Sequence, residues 1–103
     1  MTFATYGRLG AKPGEGPALA AILTRPSTEL AAVGCLLYEV GVSEGDPDGV
    51  HVIELWTSAA AHQASLNLES VRAAIAEAMP LLDGAPSGSQ FEVVGSPLRD
   101  TDS

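Results

Sequence analysis

Basic residues, cysteine and long apolar runs are all scarce in this chain of 103 residues. Lys and Arg together number 5 against 13 Asp and Glu, so the formal net charge is −8. The basic residues are scattered, whereas proteins that bind nucleic acids or anionic membranes gather positive charge on one surface. The charge balance therefore predicts that neither a nucleic acid nor a membrane is a partner of this protein.

The single cysteine, Cys35, excludes an internal disulfide and a zinc site built from cysteines. No apolar run approaches the roughly 18 residues needed for a membrane-spanning helix. Residues 2–12 also lack the basic-then-apolar layout of a secretory leader. We therefore expect a cytoplasmic protein, in which Cys35 is a small buried apolar residue rather than a nucleophile.

The length of the chain fits one domain, since domains most often have about 100–150 residues. Apolar residues make up 46% of the chain and charged residues 17%, a balance typical of a folded rather than a disordered protein. We expect a single domain over residues 1–97, followed by a flexible polar tail over residues 98–103.

Hydrophobic spacing and the positions of Gly and Pro divide the chain into strands and helices. Apolar residues at helical spacing follow Gly14, and Pro26 divides the first helical region into two. The polar residues 43–49 indicate a loop between the two strands of a hairpin. The predicted strands are residues 3–11, 35–42, 50–56 and 90–94, and the predicted helices are residues 15–24, 27–32, 59–66 and 68–78.

The resulting order, β-α-β-β-α-β, is that of a ferredoxin-like α+β fold. It predicts one four-stranded antiparallel sheet with helices on one face. On the second strand, Leu36 and Tyr38 are expected on one side and Cys35 on the other, and the third strand is also apolar on both sides. An apolar second face needs a cover, so the sequence predicts a homodimer formed face to face.

Three stretches of the chain carry a resemblance to a known family. The first strand runs into Lys12-Pro13-Gly14, residues 33–39 read VGCLLYE, and residues 52–58 read VIELWTS. In this order they resemble the antibiotic biosynthesis monooxygenase family, over about residues 3–94. The resemblance implies a dimeric α+β barrel and, from the oxygenase members, oxidation of a quinol or hydroxylated polycyclic aromatic by dioxygen. The expected substrate is a small aromatic or quinol-like molecule, and no cofactor is expected.

The resemblance also implies a site around Trp56, which stands at the family's Trp position. Its ring would stack on a flat substrate and its N–H would donate to an oxygen. His62, six residues later, would accept a phenolic proton near neutral pH. His62 and Trp56 are therefore the predicted catalytic residues. The predicted substrate-binding residues are Trp56, Val52, Tyr38 and Tyr6.

Several positions depart from the family pattern. Val52 stands where some oxygenases carry Asn, and Ser65 and Ser70 stand where many members carry His. Gly7 stands roughly at the Asn position of haem-degrading relatives, so haem degradation is not expected. Two other functions therefore remain open: a non-catalytic module that binds a small apolar metabolite, and a metabolite isomerase.

Two further polar residues of the third predicted strand, His51 and Glu54, could have either structural or functional roles. His51 faces away from Trp56 and has no Cys or second His at a metal-binding spacing, so no metal site is expected. Glu54 is expected to pair with Arg8 or Arg72, or else to accept a proton from a substrate.

Overall fold

Four strands and four α-helices make up the part of the chain that the computed structural model describes, residues 1–99. In chain order they are β1 (Phe3–Gly10), α1 (Gly16–Leu23), α2 (Thr28–Ala32), β2 (Cys35–Ser43), β3 (Asp46–Trp56), α3 (Ala59–Ser65), α4 (Glu69–Ala78) and β4 (Ser87–Glu92), with a 3-10 turn at Met79–Leu81 after α4. None of the described helices has both the length and the apolar character needed to cross a bilayer. Most of the predicted tail, residues 100–103, lies outside the described residues, and the predicted domain boundary at residue 97 stays a prediction.

The four strands form one sheet in the order β2-β3-β1-β4. Every neighbouring pair is antiparallel. Together with the order of the elements, this confirms the predicted ferredoxin-like α+β class with a four-stranded antiparallel sheet. Because β3 and β1 occupy the middle, β2 and β4 form the two edges of the sheet.

Side chains alternate along β3, and one set points to the helices. Val50, Val52 and Trp56 belong to this set and are buried. Leu19 of α1 and Ala78 of α4 pack with the two valines in the core. These positions are buried because α1 and α4 pack their apolar residues against this side of the sheet. Trp56 therefore lies at the end of a strand that the helices cover.

The other side of the sheet, which we call the outer face, carries Tyr6, Leu37, Ile53, Leu55 and Phe91. Four of these large apolar side chains, all except Leu55, are between 40% and 54% exposed. The predicted apolar second face is therefore present in the single chain, and the homodimer inferred from it stays a prediction.

The hairpin between β2 and β3 is tighter than predicted. Only Glu44 and Gly45 form the turn, whereas a loop was expected over residues 43–49. The strand continues through Pro47 because this residue has no partner in either ladder: the pairing with β1 ends at Gly49, and the register with β2 shifts between Val42 and Ser43. Of the residues that indicated a loop, Asp46 pairs with Ser43 and Gly49 pairs with Gly10.

A register shift in β2 changes the predicted side of Cys35. Cys35 lies opposite Trp56 and Leu37 lies opposite Leu55, so Leu36 is an inserted residue of a β-bulge. The expectation that Cys35 and Tyr38 lie on opposite sides is therefore wrong, because strict alternation does not hold across a bulge. Both residues share the helix-facing side.

Asp48 of β3 fixes the start of α1. Its Oδ1 accepts the backbone N–H of Gly16 at 2.9 Å, and its Oδ2 accepts that of Gly14 at 3.0 Å. A carboxylate at this place satisfies N–H groups that a helix start leaves free. Gly16 has no room for a side chain, since a Cβ there would collide with the carbonyl oxygen of Pro47. The hairpin and the first helix are thus held together at close range.

Candidate functional site

A cavity of about 840 Å³ lies between the helix-facing side of the sheet and the helical segments. Ile22 and Leu23 of α1, Leu30 of α2 and Ile75 of α4 contribute to an apolar wall. The residues at its sheet end are Thr5, Tyr38, Val52, Glu54, Trp56 and His62. Three of the predicted substrate-binding residues and both predicted catalytic residues therefore border the same space on this side of the sheet.

The indole of Trp56 is anchored by Glu54. The Trp56 side chain is almost fully buried, and its Nε1–H donates to Glu54 Oε1 at 2.9 Å. The two residues are separated by one position on β3, so their side chains leave the same face of the strand and can reach each other. The only donor of the indole is therefore used within the protein.

His62 reaches the same carboxylate from α3. Ser58 begins this helix, with its side-chain oxygen accepting the N–H of Ala61 at 3.0 Å. The His62 ring lies edge-on to Trp56, with ring centroids 5.4 Å apart, and its Nε2 is 4.0 Å from Glu54 Oε1. The other nitrogen, Nδ1, is sealed from solvent and has no hydrogen-bond partner among the described residues. Only the Nε2 side of the ring is open to a ligand.

Tyr38 lies directly across the ladder from Glu54. Burial raises the pKa of the Tyr38 phenol to about 12, with smaller contributions from the negative charge of Glu54 and from Cys35. The side chain is therefore a neutral hydroxyl over the whole physiological range, and it can donate one hydrogen bond.

The other two predicted substrate-binding residues have different surroundings. Val52 is buried beneath the cavity as part of the core. Tyr6 borders the cavity along β1, but its ring belongs to the outer face, where its hydroxyl makes a 2.8 Å hydrogen bond with Nδ1 of His51. The structure thus groups Trp56, His62, Tyr38 and Val52, and places the hydroxyl of Tyr6 on the opposite side of the sheet.

Glu54 does not form the arginine pair that was one of its two expected roles. Neither expected arginine pairs with it, since Arg8 binds Asp46 at 2.6 Å and Arg72 makes no ion pair within residues 1–99. The spacing of Glu54 and Trp56 on one strand face was a signal for their contact.

Within residues 1–99, no three side chains of His, Cys, Asp or Glu lie close enough together to form a metal site.

The two serines at family histidine positions have structural contacts. Ser65 is buried, and its hydroxyl donates to the backbone carbonyl of His62 at 2.6 Å. The hydroxyl of Ser70 donates to Glu29 of α2 at 2.5 Å. Ser65 therefore supports the helix turn that carries His62, and Ser70 links α4 to α2.

Comparisons with known proteins agree with this architecture. The family model of antibiotic biosynthesis monooxygenases matches residues 2–77. Among curated proteins, no match is found. A crystal structure from Chloroflexus aurantiacus J-10-fl, of a protein named for the same family, has 36% sequence identity and a TM-score of 0.83. That alignment covers 93% of this chain and 96% of the other.

Two more distant structures share the fold. A protein from Caulobacter crescentus CB15 is 23% identical with a TM-score of 0.76, and 91% of each chain is covered. A protein from Mycobacterium tuberculosis is 19% identical with a TM-score of 0.81, over 94% of this chain and 99% of that one. With most of its length matched by the family model and by a 36% identical structure, the chain belongs to the antibiotic biosynthesis monooxygenase family.

Proposed function

We propose that this protein is a cofactor-independent monooxygenase that oxidises a quinol or a hydroxylated polycyclic aromatic with dioxygen. The observation that carries the proposal is the grouping of Glu54, Trp56 and His62 at the end of an apolar cavity of about 840 Å³. Cavities of roughly 300–1,000 Å³ with a few convergent polar groups are typical sites for small organic ligands.

Trp56 and His62 have separate roles in this proposal. Trp56 is almost fully buried, so in this proposal it holds Glu54 in place through its N–H, and only the edge of its ring meets an aromatic substrate in the cavity. His62 receives the hydroxyl proton of the substrate at Nε2, the nitrogen that faces Glu54. Imidazole is suited to this step because it exchanges a proton near neutral pH.

The oxygen chemistry then follows from the substrate itself. Loss of the proton leaves an anion with excess electron density on a hydrogen-bearing ring carbon. This carbon transfers electrons to dioxygen and forms a C–O bond, and the peroxide anion takes back the proton from His62. The resulting hydroperoxide loses water to leave a carbonyl. One oxygen atom stays on the product and the other leaves as water, so the substrate supplies all four electrons. The protein contributes a water-poor cavity and a proton acceptor.

Oxygen uptake tests the proposal. Purified protein, treated with a chelator, is assayed against a panel of hydroquinones and anthrones. We expect uptake above the autoxidation of the substrate, a loss of roughly a hundredfold or more in kcat for His62→Ala, and weaker substrate binding for Trp56→Phe.

His51→Gln is the matched control, because His51 is the second of the two histidines and lies on the outer face. It should retain the uptake of the unchanged protein. Full activity in His62→Ala would remove His62 as the proton acceptor. Uptake no faster than autoxidation on every panel member would contradict the oxygenase.

A non-catalytic module for a small apolar metabolite is the second candidate function. The observation that favours it is the scarcity of proton-handling groups, since Ser65 and Ser70 are engaged in structural hydrogen bonds. Binding of panel compounds without turnover, in air, would support this function. Turnover without oxygen would support the isomerase instead.

We also propose that the outer face forms a homodimer. Tyr6, Leu37, Ile53 and Phe91 are large, apolar and partly exposed there, and a sheet face of this kind is rarely left in water. Obligate dimers bury well over about 1,200 Å² in total, which a four-stranded sheet can supply. The cytoplasmic location stays a prediction.

A further inference from the structure

Glu54 differs from several other carboxylates of the protein. Asp46 has an arginine partner, Glu77 has another, and Asp48 accepts two backbone N–H groups. Glu54 has no cation within hydrogen-bond distance in the described part of the chain, although its side chain is only 18% exposed. Glu54 therefore keeps acceptor capacity that no cation of the described residues uses.

The two oxygens of Glu54 are not equivalent. Oε1 accepts the indole N–H of Trp56 at 2.9 Å and faces Nε2 of His62 at 4.0 Å. Oε2 accepts no hydrogen bond from residues 1–99, and it remains accessible to solvent. Glu54 also lines the cavity, so a ligand can reach an acceptor that nothing else occupies.

The polar groups around Glu54 determine which ligand group suits this position. A carboxylate only accepts hydrogen bonds, and the nearest indole donor is already bonded to it. A ligand oxygen without a hydrogen would therefore face negative charge there, whereas a hydroxyl would donate to it. A ligand carboxylate would be repelled, both by Glu54 and by a protein with a net charge of −8.

We propose that Glu54 is a substrate-binding residue, which accepts the hydroxyl hydrogen of the aromatic substrate at Oε2 and selects a neutral hydroxyl over an ether or a carboxylate. This inference rests on the proposed function, because it uses the same cavity and substrate class. The hydrogen bond orients the bound substrate; the hydroxyl must leave Oε2 before its proton passes to Nε2 of His62, which faces the other oxygen, Oε1, at 4.0 Å.

Three naphthalenes that differ in one substituent test the selection. The probes are 1-naphthol, 1-methoxynaphthalene and 1-naphthoate, and their dissociation constants are measured by isothermal titration calorimetry at neutral pH. A hydrogen bond to a charged group stabilises a complex by about 1.5–3 kcal/mol, so 1-naphthol should bind at least about tenfold more tightly than the ether. The carboxylate should bind most weakly.

Glu54→Gln removes the charge and keeps the size of the side chain. We expect it to reduce the preference for 1-naphthol over the ether to about threefold or less and to improve the binding of 1-naphthoate. Glu39→Gln is the matched control, because Glu39 is a strand glutamate opposite Ile53 on the outer face. It should leave all three constants unchanged.

Because Trp56 is the single tryptophan, it can be used to test whether Glu54→Gln retains the folded structure of the site. Its indole N–H yields one cross-peak in a ¹H–¹⁵N spectrum, which should shift in Glu54→Gln while the backbone peaks far from the site stay in place. Equal binding of 1-naphthol and the ether by the unchanged protein, or an unaltered preference in Glu54→Gln, would overturn the role of Glu54 alone. Failure of all three probes to bind at millimolar concentration would overturn the aromatic cavity and this inference together.

Discussion

Tyr38 is the residue at the site whose ionisation the fold changes most. Its pKa is raised from 10.0 to about 12, mainly because burial disfavours the phenolate. The folded protein keeps a proton that the unfolded chain releases, so the free energy of unfolding should fall as the pH rises from about 10 to about 12. The expected loss is about 3 kcal/mol in total. Urea unfolding at a series of pH values measures it.

Two variants separate Tyr38 from other groups that ionise at high pH. Tyr38→Phe should remove this part of the loss, and an absorbance titration at alkaline pH should lose the phenol that ionises near 12. Tyr6→Phe should leave the contribution of Tyr38 in place, since Tyr6 contacts His51 on the outer face. An unchanged pH dependence in Tyr38→Phe would contradict the assignment.

The positions of single residues at the site could be predicted from the sequence only in part. Trp56 and His62 were placed by the resemblance to the family, and they border one cavity. For Glu54, a pair with an arginine or the acceptance of a proton was expected. The pair is absent, because the sequence alone does not tell which side chains a sheet brings near a carboxylate. The hydroxyl of Tyr6 points away from the cavity because alternation along β1 sets its side of the sheet.

At the scale of elements, the contact between β3 and the start of α1 depends on Asp48. Asp48→Ala leaves the N–H groups of Gly14 and Gly16 without their acceptor. We expect the free energy of unfolding to fall by about 1–2 kcal/mol, as for the loss of a helix cap. Chemical denaturation measures the change. Glu44→Ala, at the hairpin turn, is the control and should stay within about 0.5 kcal/mol of the parent protein.

The type and order of the helices and strands could be predicted, because hydrophobic periodicity and the positions of Gly and Pro are local signals. The residues at which the elements begin and end were predicted less accurately. The loop expected at 43–49 is mostly strand, since Asp46 pairs with β2, Gly49 pairs with β1 and Asp48 binds the start of α1. β4 likewise begins at Ser87 rather than at the predicted residue 90, because Ser87 pairs with Arg8 of β1.

At the scale of the whole molecule, the outer face should determine the oligomeric state. Ile53 lies on the central strand β3 and is 46% exposed in the single chain. Ile53→Lys would place a charge in the proposed interface, so we expect a shift from dimer to monomer at micromolar concentration. Light scattering after gel filtration measures the mass.

Leu66→Lys is the control for this change. Leu66 is an exposed apolar residue, at 41%, but it follows α3 and lies away from the sheet. This variant should remain a dimer. A monomeric parent protein, or an unchanged mass in Ile53→Lys, would show that the outer face is not the interface.

The bulge at Leu36 has a consequence for changes in chain length. Leu36 has no partner in the ladder, so its deletion would leave Cys35 opposite Trp56 and Tyr38 opposite Glu54. Deletion of one residue between Val52 and Trp56 would instead turn part of the cavity-lining set to the opposite side of the sheet. Single-codon deletions along the gene should therefore be accepted at position 36 and rejected inside β3, which makes Leu36 a place where this fold can shorten without losing its site.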